Sequence, residues 1–417
     1  MEKLIINGGK RLNGSLDVMS AKNSILPLLS ASILTDEEVV IHKCPEISDV
    51  ESMIKILMKL GVDVKREGSD IIINASTINS CLIPTELAGE LRSSIFLLGS
   101  IIAKLRCGQV AYPGGCDIGI RPIDIHIKGL KELNIDIREE FGHIVCDGEN
   151  MKAADIILDI PSVGATENLM MASVFTEGVT VIRNVAKEPE IVDLQNFLNL
   201  MGADIRGAGS SVIFIRGVKK LHGVEYTPIP DRIVAGTYLI AGAMCGGKIE
   251  LSGVVSEHIH SLIAKLTKTT CNIEVKNDKI KLYSNGDLRA IEKIETMYYP
   301  GFPTDLQTQM MAMLTTASGT SVIVENIFET RMREVPEFIK MGADIIVKGR
   351  TAIIHGVKRL HGADVVATDL RGGASMVLAG LRAEGVTTVR ELRHIDRGYE
   401  SIEKCFESLG ADIRRMN

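Results

Sequence analysis

The sequence predicts an α/β chain built from six copies of one small unit and divided into two domains of three. Three observations carry this. First, a short opening recurs at residues 61, 134, 202, 272, 342 and 410, at intervals of 68 to 73 residues. In each case Gly or Asn is followed by an apolar residue, an acid and Val or Ile, as in Gly61-Val62-Asp63-Val64, Asn134-Ile135-Asp136-Ile137 and Asn272-Ile273-Glu274-Val275. Second, two copies match at length, from Met201 through Gly217-Val218-Lys219-Lys220-Leu221-His222-Gly223 and from Met341 through Gly356-Val357-Lys358-Arg359-Leu360-His361-Gly362. Third, a helix-like stretch precedes each opening and a strand-like alternating run, such as Val212-Ile213-Phe214-Ile215, follows it. Glycine at the junction suits the left-handed residue that ends a helix. The period exceeds the 20–50 residues of common solenoids, so each copy holds several strands and two helices.

In chain order, a strand and glycine turn over 4–14 precede the first helix and could belong with either domain. The apolar run Ile25-Leu26-Pro27-Leu28-Leu29 reads as that helix, opening at Ser20-Ala21-Lys22-Asn23. Leu97 to Ala103 is apolar but stops at Lys104, far short of the ~18 residues of a membrane span. Gly207-Ala208-Gly209 lacks the third glycine of a dinucleotide fingerprint and reads as a hairpin turn. Pro228-Ile229-Pro230-Asp231 falls between the third and fourth copies, where a crossover is expected. Gly242-Ala243-Met244-Cys245-Gly246-Gly247-Lys248 approaches a phosphate loop, but no Ser or Thr follows the lysine, and Ile249-Glu250-Leu251 is strand-like. His258 and His260 lack a Cys or acidic partner arranged for zinc and read as a solvated helix start.

Composition narrows the class. The chain has 417 residues, 45% hydrophobic and 24% charged, enough for a large core. Only 4% aromatic residues, no Trp and a net charge of −6 argue against a base-stacking or broadly basic nucleic-acid surface. The eight cysteines are scattered without a C-x-x-C pair, and most sit in apolar company. With no signal peptide, that pattern predicts reduced thiols in a soluble cytoplasmic protein.

The segment Tyr112-Pro113-Gly114-Gly115-Cys116-Asp117-Ile118-Gly119-Ile120-Arg121-Pro122 stands out. Pro-Gly-Gly specifies an exposed turn, whereas packing favours burying a free cysteine. A thiol at such a tip, with Arg121 five residues on, is either a reactive site or an incidental surface turn. Lys22 and Asn23 at a helix start suit an anion, or are a solvated lysine beside an ordinary cap. Asp305, in Pro300-Gly301-Phe302-Pro303-Thr304-Asp305, is a carboxylate delivered by a rigid turn, or a helix N-cap. Asp369-Leu370-Arg371-Gly372-Gly373 and His394-Ile395-Asp396-Arg397-Gly398 place cations beside glycine, where surface salt bridges are the plain alternative. Together these supply an acid, a thiol and several fixed cations, an inventory for handling a phosphorylated small molecule.

Taken together, these segments resemble the enolpyruvyl transferases along essentially the whole chain. The matching motifs also include Leu91-Arg92-Ser93-Ser94-Ile95, Ser162-Val163-Gly164-Ala165-Thr166-Glu167-Asn168 and Glu188-Pro189-Glu190-Ile191. The resemblance implies an inside-out α/β barrel of six βαβαββ-type repeats in two domains, 22–229 and 1–21 plus 230–417, with the active site in the cleft between them. It further implies transfer of the enolpyruvyl group of phosphoenolpyruvate to the 3′-hydroxyl of UDP-N-acetylglucosamine, releasing phosphate, in peptidoglycan precursor synthesis. By the same resemblance, Cys116 donates a proton, can hold phosphoenolpyruvate covalently and is the fosfomycin target. Asp305 takes up the hydroxyl proton, and Lys22, Arg121 and Arg397 clamp phosphoenolpyruvate. Asn23, Arg92, Arg121, Pro122, Ile123, Asp124, Ile125, Ser162, Val163, Gly164 and Ile327 fall on the nucleotide-sugar side. Arg331, Asp369, Arg371 and His394 line the cleft. No cofactor, metal, nucleic acid, membrane or obligatory protein partner is implied.

The chain departs from the family pattern at Ser20, where Gly is usual, and at Val234, where Glu is common. It also departs at Thr330, Met332, Arg333 and Glu334 around Arg331. Two other readings stand beside this one. A shikimate-pathway transferase would lack the Pro-Gly-Gly-Cys loop, and a non-catalytic paralogue would not need a proton donor.

Overall fold

The computed structural model describes residues 2–90, 95–111 and 123–416. These fall into two compact units, one of 20–90, 95–111 and 123–229, the other of 2–19 and 230–416. Each unit holds three four-stranded sheets, and all six sheets follow one plan. An edge strand runs parallel to its neighbour, and two antiparallel strands follow. In one sheet, for example, Leu82–Ile83 lies parallel to Cys107–Ala111, which pairs antiparallel with His143–Asp147 and that with Asp136–Glu140.

Three sheets are completed by strands from far along the chain. Val224–Tyr226 lies parallel to Val39–Ile41 and closes the first unit. In the second, Leu12–Asp17 lies parallel to Gly247–Ser252, and Lys3–Asn7 inserts between Val386–Arg390 and Asp412–Met416.

Three almost wholly buried helices form the centre of each unit. Phe96–Leu105 packs on both Lys22–Ala31 and Val163–Ser173. In the other unit Arg232–Cys245, Gln307–Leu314 and Leu370–Arg382 pack pairwise. A helix apolar on all sides belongs in such a core rather than at a surface. Two of these helices start at strong caps. Asp231 accepts from the N–H groups of Ile233 and Val234 at 2.8 and 2.9 Å, and Asp369 from those of Arg371 and Gly372 at 2.9 and 3.1 Å. No helix among the described residues is long and apolar enough to cross a membrane.

The repeated opening has one physical cause. Gly61, Asn134, Gly202, Gly342 and Gly410 all have positive φ, between 61° and 104°. In each case the strand begins two residues later, at Asp63, Asp136, Asp204, Asp344 and Asp412. The fourth copy departs from the expected register. Its left-handed residue is Thr270, with φ of 82°, and the strand Asn272–Lys276 starts two residues on. The copy therefore begins at 270 rather than 272. A threonine in that conformation gives no glycine signal, so the flanking acid and β-branched pattern misplaced it.

The long internal match is also explained. Gly217 and Gly356 donate to Gly178 O and Gly319 O, each at 3.0 Å. A Cβ on either would lie 1.6 Å from a backbone carbonyl, Thr176 O or Ala317 O. The following residues bind back onto the same repeat, His222 N–H to Met201 O and His361 N–H to Met341 O, each at 2.9 Å. Leu221 and Leu360 anchor the crossing in the core. The shared sequence is the strap that leads from one repeat to the edge strand of the next sheet.

Replacing Gly356 by Ala should destabilise the protein by more than about 3 kcal/mol, because backbone must move to admit the methyl group. Gly349→Ala, at φ of 58° with nothing within 4 Å, should cost only about 1–2 kcal/mol. Equal losses in chemical denaturation would contradict this account.

Candidate functional site

Asp305 lies in the short turn Thr304–Leu306 that leads into the helix Gln307–Leu314. It is not a helix cap. Its Oδ1 receives Nη2 of Arg331 at 2.5 Å, and its Oδ2 receives Nη2 of Arg371 at 2.9 Å. The two guanidinium side chains are 1% and 4% exposed, so this is a buried cluster rather than a surface salt bridge. Burial works against the Arg371 charge, and Asp305, Tyr399 and Asp231 together more than offset it, raising the guanidinium further above its ordinary value. Arg371 Nη1 also reaches the Tyr399 hydroxyl at 3.5 Å, and that hydroxyl lies 2.8 Å from Thr237 Oγ1. Gln309 Nε2 donates to Asp305 O at 2.9 Å and secures the backbone of the turn.

Glu325, not singled out in the sequence, organises the same region. It is 1% exposed and accepts four hydrogen bonds. The hydroxyls of Thr296 and Thr304 donate at 2.9 Å each, and the N–H groups of Ile327 and Phe328 at 2.8 and 3.0 Å. It thereby ties the Asp305 turn to the loop carrying Ile327 and Arg331. In the sequence it looks like an ordinary charged residue at the end of the strand Thr320–Val324, and no spacing rule marks it.

Asp369 is the cap already described, so its carboxylate holds the helix that presents Arg371. His394 ends the short helical turn Leu392–His394 and is partly exposed, as is Arg397. Between them Asp396 pairs with Arg415 at 2.6 and 3.0 Å. Val234, 1% exposed, is packed in the core of Arg232–Cys245.

In the other unit Lys22 occupies the first position of the helix Lys22–Ala31, preceded by Ala21, which makes no side-chain cap. Its ammonium is 12% exposed and lies 3.0 Å from Asp49 Oδ2, so it is not a solvated lysine. A cation at this end opposes the helix dipole, and Asp49 supplies the compensating charge. Asn23 follows it, half-buried, and Ser20 is buried just before the helix. Ser162 caps the helix Val163–Ser173, accepting from Ala165 N–H at 3.3 Å. A Cβ at Gly164 would lie 2.7 Å from the Phe96 ring, so that position takes no larger residue. Ile123 and the exposed Asp124 start the helix Asp124–Glu132, with Ile125 buried behind them. Asn168 locks two central helices together, donating to Ile95 O at 3.1 Å and accepting from Gly99 N–H at 2.6 Å. Arg92, Cys116, Arg121 and Pro122 lie outside the described residues. Among the described residues no group of three or more His, Cys, Asp or Glu could hold a metal ion.

The profile of the EPSP synthase (3-phosphoshikimate 1-carboxyvinyltransferase) family matches residues 6–406. The chain belongs to this enolpyruvyl transferase family. UDP-N-acetylglucosamine 1-carboxyvinyltransferase 2 of Caldanaerobacter subterraneus subsp. tengcongensis is 53% identical over 416 residues, covering 100% of both chains. UDP-N-acetylglucosamine 1-carboxyvinyltransferase 1 of Staphylococcus epidermidis is 47% identical over 421 residues, again covering 100% of both. Among solved structures, the enolpyruvyl transferase NikO from Streptomyces tendae superposes with a TM-score of 0.90 at 24% identity, covering 100% of this chain and 99% of that one. EPSP synthase from Acinetobacter baumannii gives 0.77 at 17% identity, covering 100% of both. These two structural likenesses establish the shared enolpyruvyl transferase fold, the two-domain, six-repeat α/β architecture expected from the sequence.

Two measurements probe the buried carboxyls of this family member. Glu325→Gln replaces one of the two accepting oxygens by an NH2 donor, which then faces a donor, and should cost about 1–3 kcal/mol in denaturant titration. Glu167, 1% exposed, is pushed well above its ordinary 4.5 by burial, then by Glu190 and Glu188. It binds its proton more tightly folded than unfolded, so its stabilising contribution is complete below 4.5 and declines as pH rises toward the raised folded value. Glu167→Gln should therefore gain stability over the unsubstituted protein at pH 8 and gain less at pH 5. A pH-independent difference would contradict the assignment.

Proposed function

We propose that this chain transfers the enolpyruvyl group of phosphoenolpyruvate to the 3′-hydroxyl of UDP-N-acetylglucosamine, releasing phosphate, in peptidoglycan precursor synthesis. The observation that carries the reading is identity of 46–53% over the full chain to relatives bearing that enzyme's name. The residues supply groups for each step. Addition joins the sugar oxygen to C2 of phosphoenolpyruvate while C3 gains a proton. Elimination then removes a C3 proton and expels phosphate.

Asp305 is assigned the hydroxyl's proton. A carboxylate has about four lone-pair sites, so arginines on its two oxygens orient it while leaving room to accept a proton. Cys116 is assigned the proton delivered to C3 and the covalent adduct with phosphoenolpyruvate. A thiol of ordinary pKa near 8.5 is mostly protonated at neutral pH. Lys22, Arg121 and Arg397 offset phosphate and carboxylate charge as it redistributes. Arg331, Arg371, Asp369 and His394 complete this site. Asn23, Arg92, Arg121 to Ile125, Ser162 to Gly164 and Ile327 take the nucleotide sugar, with Glu325 holding Ile327 in place. Cys116 belongs to a domain of residues 22–229, and Asp305 and Arg397 to a domain of residues 1–21 plus 230–417. The work is done in the cytoplasm on small-molecule substrates without a metal.

The purified protein should release phosphate from phosphoenolpyruvate only when UDP-N-acetylglucosamine is present, and fosfomycin should abolish release by modifying Cys116. Asp305→Ala should lower kcat by about 10²–10⁴-fold, the usual worth of a positioned acid or base. Release that depends on 3-phosphoshikimate instead would overturn the assigned acceptor. Nucleotide-sugar binding without release would point to the non-catalytic paralogue.

A further inference from the structure

Beside the Asp305 cluster lies an acid with no evident structural use. Glu334 is fully buried, and neither carboxyl oxygen makes a hydrogen bond. It sits at the end of the turn that carries Arg331 and leads into the helix Val335–Lys340, with its carbonyl accepting from Glu337 N–H at 2.9 Å. Arg331, three residues earlier, is also incompletely used. Its Nη2 serves Asp305 and, at 3.3 Å, Thr304 O, whereas its Nε–H is buried without a partner. The charged groups acting on Glu334 are Asp369 at the start of the Leu370–Arg382 helix, Arg331 on its own turn, and Glu325 beyond the strand Thr320–Val324. Two of the three are acids. A buried carboxylate so poorly supplied with donors is costly and takes up a proton instead. Burial first, then Asp369, push the Glu334 carboxyl up to about 8 against the pull of its own backbone N–H and of Arg331.

We infer that Glu334 is a positioning residue for Asp305: as a neutral acid it leaves the Arg331 guanidinium to Asp305, and as a carboxylate it draws that guanidinium toward itself through the unused Nε–H. The inference rests on the reading of Asp305 as acceptor of the sugar hydroxyl's proton. Ionisation of Glu334 loosens one side of the Asp305 clamp, so turnover falls while substrate affinity is retained.

The test follows kcat for sugar-dependent phosphate release from pH 6.5 to 9 in the unsubstituted protein and in Glu334→Gln, which keeps the shape of the neutral acid. The ratio of Glu334→Gln to unsubstituted kcat should rise from about one to about tenfold at pH 9, one unit above the Glu334 value of about 8. The ratio cancels the Cys116 titration, which both proteins share. KM for both substrates should move little in either protein. Glu334→Met, also unable to ionise, should show the same alkaline tolerance and stands in if the amide disturbs folding. In parallel, a difference infrared spectrum between the unsubstituted protein and Glu334→Gln should contain a carboxylic-acid C=O band at pH 7 that is gone at pH 9. A flat kcat ratio, or no acid band at pH 7, overturns the inference. If neither protein uses UDP-N-acetylglucosamine, the functional reading falls, and the infrared arm alone decides the state of Glu334.

Discussion

Two guanidinium groups lie almost wholly out of water in one unit, and neither would be tolerable there alone. Their shared counter-ion is Asp305, and the surrounding structure serves to keep the three together. Arg331 and Arg371 lie 26 and 66 residues beyond Asp305, on a turn after one strand and on the first turn of a central helix. The Asp369 cap, the Tyr399 and Thr237 hydroxyls, Gln309 and the Glu325 hub each restrain one part of that meeting. Removing one member of such a buried set generally costs about 3–5 kcal/mol, because the others are left uncompensated. Site and stability are therefore hard to separate in this half of the chain.

The buried acids illustrate how environment divides one residue type into different roles. Glu325 has four donors around it and holds two segments in register. Glu167 and Glu334, equally buried, are met mainly by other acids. Asp193 is intermediate: Ser24 Oγ, Tyr226 Oη at 2.6 Å and Ile229 N–H at 3.3 Å all donate to it, yet burial still raises its carboxyl above the ordinary value. Donor supply, rather than depth, decides which of these acids can act as a fixed charge.

Much of the fold was legible because left-handed turns advertise themselves. Gly61, Gly202, Gly342 and Gly410, with Asn134, marked five copies correctly because few other residues take that backbone conformation cheaply. Thr270 broke the pattern, and the fourth copy slipped by two residues. The strap from Gly217 to Gly223 and its partner from Gly356 were visible as a repeat, but their reason, close approach of glycine to a carbonyl, needs coordinates. At the site, motif residues pointed to Lys22, Asp305 and Arg371 while leaving their partners open. Taken singly, Asp305 read more readily as a cap, and Arg371 as a surface ion pair, since local sequence carries no information about a contact 66 residues away. Asp49 and Glu325 were invisible for the same reason.

The pairing of the first two strands has a consequence for the order in which the protein takes shape on the ribosome. Lys3–Asn7 and Leu12–Asp17 are made long before their hydrogen-bonding partners Gly247–Ser252, Val386–Arg390 and Asp412–Met416. At translation speeds of roughly 5–20 residues per second, about 20–80 s pass before the last of these partners is made. The unit spanning 20–229 needs nothing from beyond Tyr226 to complete its three sheets, so it can fold while synthesis continues. These two strands thus emerge well before they can find their place, and their unpaired edges are what a chaperone would have to shield in the interval.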